Sequence, residues 1–538
     1  MSVNEDSGAM KLSRRKFLGV IGKGAAVLGM PSFLSVNAAQ GAQPFQQRRF
    51  VIREDRFGRM FPELPAFAEP SNQLSAALLE LGKPRGILDA KDNLAAGPVA
   101  LIVDPALNLN NPNNDTHTAG TTFMGQFMDH DMTFDLTSRL GVPTAPEQSP
   151  NSREPALELD SVYGGGPIAD AGLYERVRRG MYPTKFKVES GGLFEDLPRN
   201  GTNAIIADER NDENLMIAGL HAAFLLFHNK AVDLIAKNEI KLVAARNRRE
   251  EPDETYRRAR QLTTWHYQWM ILHEFLPLFV GQEMVDNILA GGRKYYRPEV
   301  AQIPVEFQGA AFRFGHSMVR PSYRANFTSL DGQPFFAMLF DPAQENNSDP
   351  EDLRGGFRAP RRFIGWQTFF DFEDGNLKPN KLIDTTISTP LFDLPLAAIA
   401  TLSPPAEPPT ALPQRNLLRH VTWQLPSGQR IARHMNVPAL SSQDLQELKD
   451  LGNNLDQSTP LWYYILKEAE VMENGLRLGP VGGRIVGEVI IGLLQLDRQS
   501  YLSDEPRWRP TLPQRNGQVT GDFRMVDFLT FAGVAQFR

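Results

Sequence analysis

Cysteine is absent from all 538 residues. That removes disulfides, thiolate nucleophiles, Cys-ligated zinc and iron–sulfur clusters. Other signatures are missing as well. There is no His-Glu-x-x-His or comparable cluster for zinc hydrolysis, which needs three protein ligands, and no Gly-x-Ser-x-Gly elbow for serine hydrolysis. The run Gly479-Pro480-Val481-Gly482-Gly483 lacks the Lys-Ser/Thr of a phosphate loop and reads as a plain helix start. No internal repeat and no strong strand alternation is visible. Positive charge is in the minority, 57 Lys and Arg against 63 Asp and Glu for a formal net charge of −6. A general nucleic-acid binder is therefore not expected.

What is present is an ordinary globular composition, 41% hydrophobic and 22% charged, with 40 Pro and 43 Gly spread without a period. It predicts a sizeable core and many long loops. Residues 1–38 stand apart. Five cations against Glu5 and Asp6 give that segment +3, leaving −9 for the remainder. Ser13-Arg14-Arg15-Lys16-Phe17-Leu18-Gly19 is a twin-arginine pattern, followed by a mildly apolar run and by small residues Val36, Ala38 and Ala39 where a peptidase could cut. Lys23, four glycines and Pro31 make the run a poor membrane span. The reading is a signal peptide for the twin-arginine machinery, and hence a periplasmic or extracellular protein. Residues 39–538 read as one domain, with 39–100 a proline-punctuated arm on a core of 101–538.

Within 121–134, Phe123, Met124, Phe127 and Met128 recur at helical spacing, and Gln126, Asp129 and His130 stand at i, i+3 and i+4 on one face. A polar stripe in an apolar helix is costly unless it meets a partner, a metal or a cofactor, although a core histidine bonded to its neighbours satisfies the same rule. Residues 208–214 begin a second helix, 215–235, with the acidic groups and Asn that helix starts favour. Arg210 is a cation where the helix dipole prefers anions, so it is paired or functional. His221 and His228, like His266 and His273 in a helix over 260–278, read as core or capping residues. An apolar helix over 307–318 carries His316 behind Arg313 and Gly315, a glycine that lets something bulky and flat approach the backbone. A Pro-rich excursion over 401–413 leads into Asn416-Leu417-Leu418-Arg419, and helical runs follow at 459–473 and 485–496. Over 155–163 acidic groups alternate on a segment read as extended, a weak calcium-ligand signal. Two separated histidines without cysteine suggest one metal ligand and one acid–base group, and haem needs only a single axial histidine.

The motifs Gly125-Gln126-Phe127-Met128-Asp129-His130-Asp131, Arg210-Asn211-Asp212-Glu213, Phe312-Arg313-Phe314-Gly315-His316 and Asn416-Leu417-Leu418-Arg419, in this order, resemble the animal-type haem peroxidases of the peroxidase–cyclooxygenase superfamily, in a bacterial branch. The similarity spans roughly residues 55 to 535. It implies a mainly α fold, a single large helical domain with long loops and little β. It implies haem b, a reaction with hydrogen peroxide through compound I, and oxidation of phenolic donors or halide and pseudohalide ions. Residue by residue, it implies His316 as the iron ligand with Asn416 behind it, His130 as distal base, Arg210 as stabiliser of developing charge and Gln126 as the residue placing water or halide. Arg313 and Arg419 are implied partners of the haem propionates, and Asp129 and Glu213 implied points of ester attachment. Asn214 stands where some members have methionine, so no sulfonium link is expected. Asp131 with Glu154, Ala156, Glu158 and Asp160 matches the family's calcium site, with Glu154, Glu158 and Asp160 departing from the usual Thr, Asp and Ser. Two rival readings remain: a fatty-acid oxygenase, which Arg313 at the position of the radical tyrosine disfavours, and a non-catalytic calcium- or haem-binding adhesion protein, which the distal set disfavours.

Overall fold

The structure is a computed structural model that describes residues 56–537 except 179, 191–194, 241–248, 250–251, 330–331, 357–360, 397–398 and 400–408. The export pattern in 1–38 and most of the Pro-rich excursion lie outside the described residues. Among those residues there are ten α-helices of eight residues or more: α1 Asn72–Leu81, α2 Ala119–Met132, α3 Leu215–Ala236, α4 Glu254–Met270, α5 Gln282–Gly291, α6 Leu412–Thr422, α7 Gly428–Met435, α8 Leu461–Glu473, α9 Pro480–Leu496 and α10 Met525–Ala532. Strands are few and paired two by two, the longest pairs being Asn113–Thr118 with Pro379–Lys381 and Ser322–Asn326 with Phe335–Met338, both antiparallel. The architecture is mainly α.

The central helices form for legible reasons. Asn214 caps α3 by accepting from the Ile217 N–H, and α3 is then apolar around most of its circumference, as a helix buried on all sides must be. It is long and apolar enough to cross a membrane, yet its apolar window is 78% buried within the protein, which makes it a core helix. Phe127 of α2 stacks on Phe224 of α3 at 4.8 Å, and Phe528 of α10 closes on Phe224 at 4.4 Å. The arm is tied to the same core. Phe57 packs on Trp423 at 5.3 Å, and the backbone N–H groups of Met60 and Phe61 donate to the buried Glu306 carboxylate.

Three expectations are revised. The helix expected over 260–278 is α4, then a π-turn Ile271–Phe275, then a short helix Leu276–Val280. Pro277 has no N–H to give the His273 carbonyl, which accepts from Arg524 Nη1 instead at 3.0 Å. The apolar helix expected over 307–318 is a short α-helix Val305–Gly309 and a 3-10 helix Ala311–Met318. The segment 155–163 is not extended: Leu159 adopts φ +63°, and Asp160–Tyr163 form a helical turn.

Candidate active site

α2, the 3-10 turn Glu209–Asp212, the 3-10 helix Ala311–Met318 and α6 converge on one cavity, lined by Gln126, Asp129, His130, Arg210, Glu213, Arg313, Gly315, His316 and Arg419 among others. Its empty space is about 1170 Å³, counting what opens to solvent. Residues separated by almost 300 positions thus meet as their motif order implied.

On the α2 side the polar groups hold one another. His130 Nδ1 lies 2.9 Å from Asn211 Oδ1. Burial, reinforced by the Arg210 charge, pushes the His130 pKa down to about 3, so the ring is neutral at physiological pH. Arg210 donates through Nε and Nη2 to both oxygens of Asp208, at 3.0 and 2.7 Å, and through Nη2 to the His130 carbonyl at 2.9 Å. Its guanidinium lies 3.9 Å from the Phe134 ring centroid. Asp208 also accepts from Arg153 Nε at 2.7 Å. Burial alone would raise the Asp208 pKa, but Arg153 and Arg210 outweigh it and hold the carboxyl well below the usual range. Asn211 Nδ2 is 2.9 Å from His221 Nδ1. Gln126 donates to Glu213 at 3.3 Å and accepts from Asn214 at 3.2 Å, so Asn214 caps α3 and orients Gln126 together.

Sequence reasoning missed Asp208, Arg153, Asn211 and His221. The available signal was Arg210 itself. A buried cation at a helix start requires an anion, and Asp208, two residues earlier, is the nearest carboxylate at capping distance, accepting from the Arg210 N–H at 3.0 Å.

Asp129 and Glu213, the implied attachment points, are carboxyls on the cavity wall. Burial raises the pKa of Asp129 against the pull of Arg313 and Arg210. Burial, helped by Asp129, pushes Glu213 up to about 7. Thr133 Oγ1 donates to Asp129 at 3.3 Å.

The opposite wall is less complete. Burial, with Arg313 and Arg419 adding, pushes His316 down to about 3. Asn416 places Nδ2 2.8 Å from His316 Nδ1 and leaves its own buried Oδ1 without a hydrogen-bond partner. The reversed amide has the same heavy-atom positions and lets Oδ1 accept from Nδ1–H, turning the Nε2 lone pair outward as a metal ligand requires. A Cβ built on Gly315 would meet nothing within 4 Å, so the face beside His316 is open. Arg313 donates Nε to the Gln308 carbonyl at 2.7 Å, and Arg419 lies 3.4 Å from Asp135 with its buried Nε unpartnered. Burial and the neighbouring Arg419 push Arg313 down to about 9, a local excess of positive charge that an anionic group relieves. An open slot beside a neutral histidine, an amide with a spare acceptor and two cations fit a haem with its propionates.

The calcium expectation fits less well. Both Asp131 oxygens face donors, the Leu159 N–H at 3.0 Å and the Ser161 N–H and hydroxyl at 3.4 and 3.3 Å, because the left-handed turn at Leu159 aims those groups inward. Glu158, longer than the usual Asp, pairs with Arg249 at 2.8 Å, and Asp160 accepts from the Glu154 N–H at 3.2 Å and lies 3.9 Å from Arg153. The Ala156 N–H donates to the Glu154 carbonyl at 2.7 Å. Among the described residues no group of three or more His, Asp or Glu side chains is placed to hold a metal ion. Guanidinium groups and N–H donors stand where a cation cage was expected.

The fold and cavity define a helical, haem-accommodating protein. The family description "animal haem peroxidase" matches residues 174–357, which include Arg210, Glu213 and His316. The chain is 32% identical over 163 residues to the probable oxidoreductase PXDNL of Homo sapiens, covering 28% of this chain and 10% of that protein's length. In structure it is similar to peroxidase A of Dictyostelium discoideum, with TM-score 0.55, 17% identity, and coverage of 90% of this chain and 95% of that one. A fatty acid alpha-dioxygenase of Arabidopsis thaliana shares the fold at TM-score 0.51 and 14% identity, covering 83% and 72%. Over residues 174–357 the chain is thus similar to the animal haem peroxidases, and over most of its length it shares their fold.

Proposed function

We propose that this protein is a haem peroxidase that reduces hydrogen peroxide and oxidises phenolic donors or halide and pseudohalide ions. The carrying observation is that a neutral His130, bonded through Nδ1 to Asn211, shares one cavity with His316 and has the Arg210 guanidinium beside it. Haem bound on His316 would supply the iron that takes up peroxide and the electrons that reduce it. Nε2 of His130 accepts a proton from one peroxide oxygen and returns it to the other, which leaves as water. Arg210, immobilised by Asp208 and the His130 carbonyl, stabilises the negative charge that builds as the O–O bond lengthens. Gln126, held by Glu213 and Asn214, positions water or halide. Asn416 fixes the His316 ring, and Arg313 and Arg419 would hold the propionates.

Ester bonds from Asp129 and Glu213 to the haem are part of this proposal, supported by two half-buried carboxyls with raised pKa values on the cavity wall. Mass spectrometry of the prosthetic group tests them. Calcium is not included, since Glu158 is engaged by Arg249 and Asp131 by N–H donors. Export by the twin-arginine route to the periplasm or beyond rests on Ser13-Arg14-Arg15-Lys16; cell fractionation of an Arg14→Lys/Arg15→Lys protein tests it, and unchanged export would refute it. For the activity, holoprotein should show a Soret band and oxidise a phenolic donor only with peroxide, and failure of both overturns the reading. The likeness in fold to a fatty acid dioxygenase supplies a second reading. Among the described residues no tyrosine lines the cavity, and oxygen uptake with unsaturated fatty acid discriminates between the two.

A further inference from the structure

Asn211 lies fully buried between two imidazoles. Its Oδ1 is 2.9 Å from His130 Nδ1, and its Nδ2 is 2.9 Å from His221 Nδ1. An amide oxygen only accepts and an amide nitrogen only donates. With the carbonyl toward His130, the proton of that ring is on Nδ1 and its Nε2 lone pair is free for the cavity. With the amide nitrogen toward His221, that ring must present a lone pair at Nδ1 and carry its proton on Nε2. The amide cannot turn over unless both rings exchange tautomers, so the two histidines are coupled. His221 is buried on α3, two turns beyond the Asn214 cap, which fixes its height against the Glu209–Asp212 turn. The His130 backbone is fixed independently by Arg210 on its carbonyl.

We propose that Asn211 and His221 are positioning residues that lock His130 in the tautomer able to accept a proton at Nε2. The inference rests on the peroxidase reading of this cavity and adds to it a pair of residues outside the cavity wall. The same carbonyl favours His130 once it has taken up the proton, because Oδ1 accepts from Nδ1–H of the imidazolium, whereas a reversed amide would aim a donor at it. Two rings on one amide must hold complementary tautomers, so His130 cannot change tautomer unless Asn211 turns over and His221 changes with it.

The test uses full-length holoprotein and the pair His221→Leu and His221→Gln. Leu removes the acceptor for Asn211 Nδ2, whereas Gln offers a carbonyl in its place. Expected for His221→Leu are an unchanged Soret band and haem content, a peroxide reaction slowed about tenfold or more in stopped flow, and a shifted C–O stretch in the ferrous carbon monoxide complex, which senses whether the ring above presents a lone pair or an N–H. His221→Gln should restore both rate and band. A His221→Leu protein with parental rate and band, or a His221→Gln protein no better than His221→Leu, overturns the proposal. If His221→Leu does not fold, Asn211→Asp against Asn211→Leu makes the same comparison, because the carboxylate still accepts from His130 Nδ1–H; equal rates in the two overturn it. A parent that binds haem but does not react with peroxide refutes the peroxidase reading, while the carbon monoxide band still decides the tautomer. A parent that binds no haem refutes the haem reading, and nitrogen-15 spectra of the ring nitrogens in that same chain then decide: a His130 proton on Nε2 overturns the lock.

Discussion

The two walls of the cavity are built on different principles. On the wall carrying His130, the polar groups are tied to other protein groups: His130 to Asn211, Asn211 to His221, Arg210 to Asp208, Asp208 to Arg153, and Gln126 to Glu213 and Asn214. On the wall carrying His316 the bonds are fewer: His316 to Asn416, whose oxygen is left over, Arg313 to the Gln308 carbonyl and Arg419 to Asp135, with the two arginines crowded together and Arg419 Nε unpartnered. The first wall is rigid before anything enters. The second becomes complete only with an occupant. A site that performs proton transfer needs its base and cation preorganised, because each hydrogen bond remade during the reaction adds to the barrier. A site that binds a cofactor can leave valences open, since binding then satisfies them.

The largest effect should come from the open wall. His316→Ala is expected to abolish haem retention, read by the Soret band and a pyridine haem assay; full haem content in that variant would break the contrast. Next is the rigid wall. His130→Ala and Arg210→Met should each slow reaction with peroxide by a factor on the order of 10²–10³ while haem stays bound. Loss of haem from those variants would show that both walls serve binding.

A smaller effect is expected from Glu213, which spans from Gln126 to the cavity. Burial first, then Asp129, pushes its pKa up to about 7 from an ordinary 4.5. A carboxyl raised on folding contributes stability that is fully present below the unfolded value and lost as pH rises through the folded one. Relative to Glu213→Gln, haem-free parent should therefore lose thermal stability between pH 4.5 and 7. An ester-linked Glu213 cannot titrate, so in holoprotein the parent and Glu213→Gln slopes should converge; slopes that differ there argue against the link. The smallest effect expected is none: incubation with a calcium chelator should leave Tm and Soret band unchanged, because Arg249 and N–H donors satisfy the acids behind α2. A drop in Tm reversed by calcium would overturn the assignment of those acids to protein partners.

Much of this site was legible because it is local. The 3.6-residue period placed Gln126, Asp129 and His130 on one face of α2, and the misfit of a cation at a helix start marked Arg210. Asp208, two residues before Arg210, was within reach of that signal, but the more distant partners were not legible. Asn211 is 81 residues from His130 and Arg153 is 55 from Asp208, and a pairing across such a distance leaves no trace in spacing. The acidic loop shows the same limit: its pattern suits a cation, and the guanidinium that meets Glu158 is supplied 91 positions later by Arg249. The π-turn before Pro277 had a local signal, an N–H missing from a helix interior, but the compensating donor, Arg524, did not.

That last contact has a kinetic side. Arg524 Nη1 reaches back 251 residues to the His273 carbonyl, and Phe528 seals the ring cluster that begins with Phe127. Contacts of such sequence separation form slowly, since the intervening loop must close before they contribute. The segment that finishes the core is near the end of the chain, and the cavity itself is bounded from Thr121 to Arg419. Closing the cavity therefore waits on contacts across almost 300 residues, and finishing the core waits on the docking of α10.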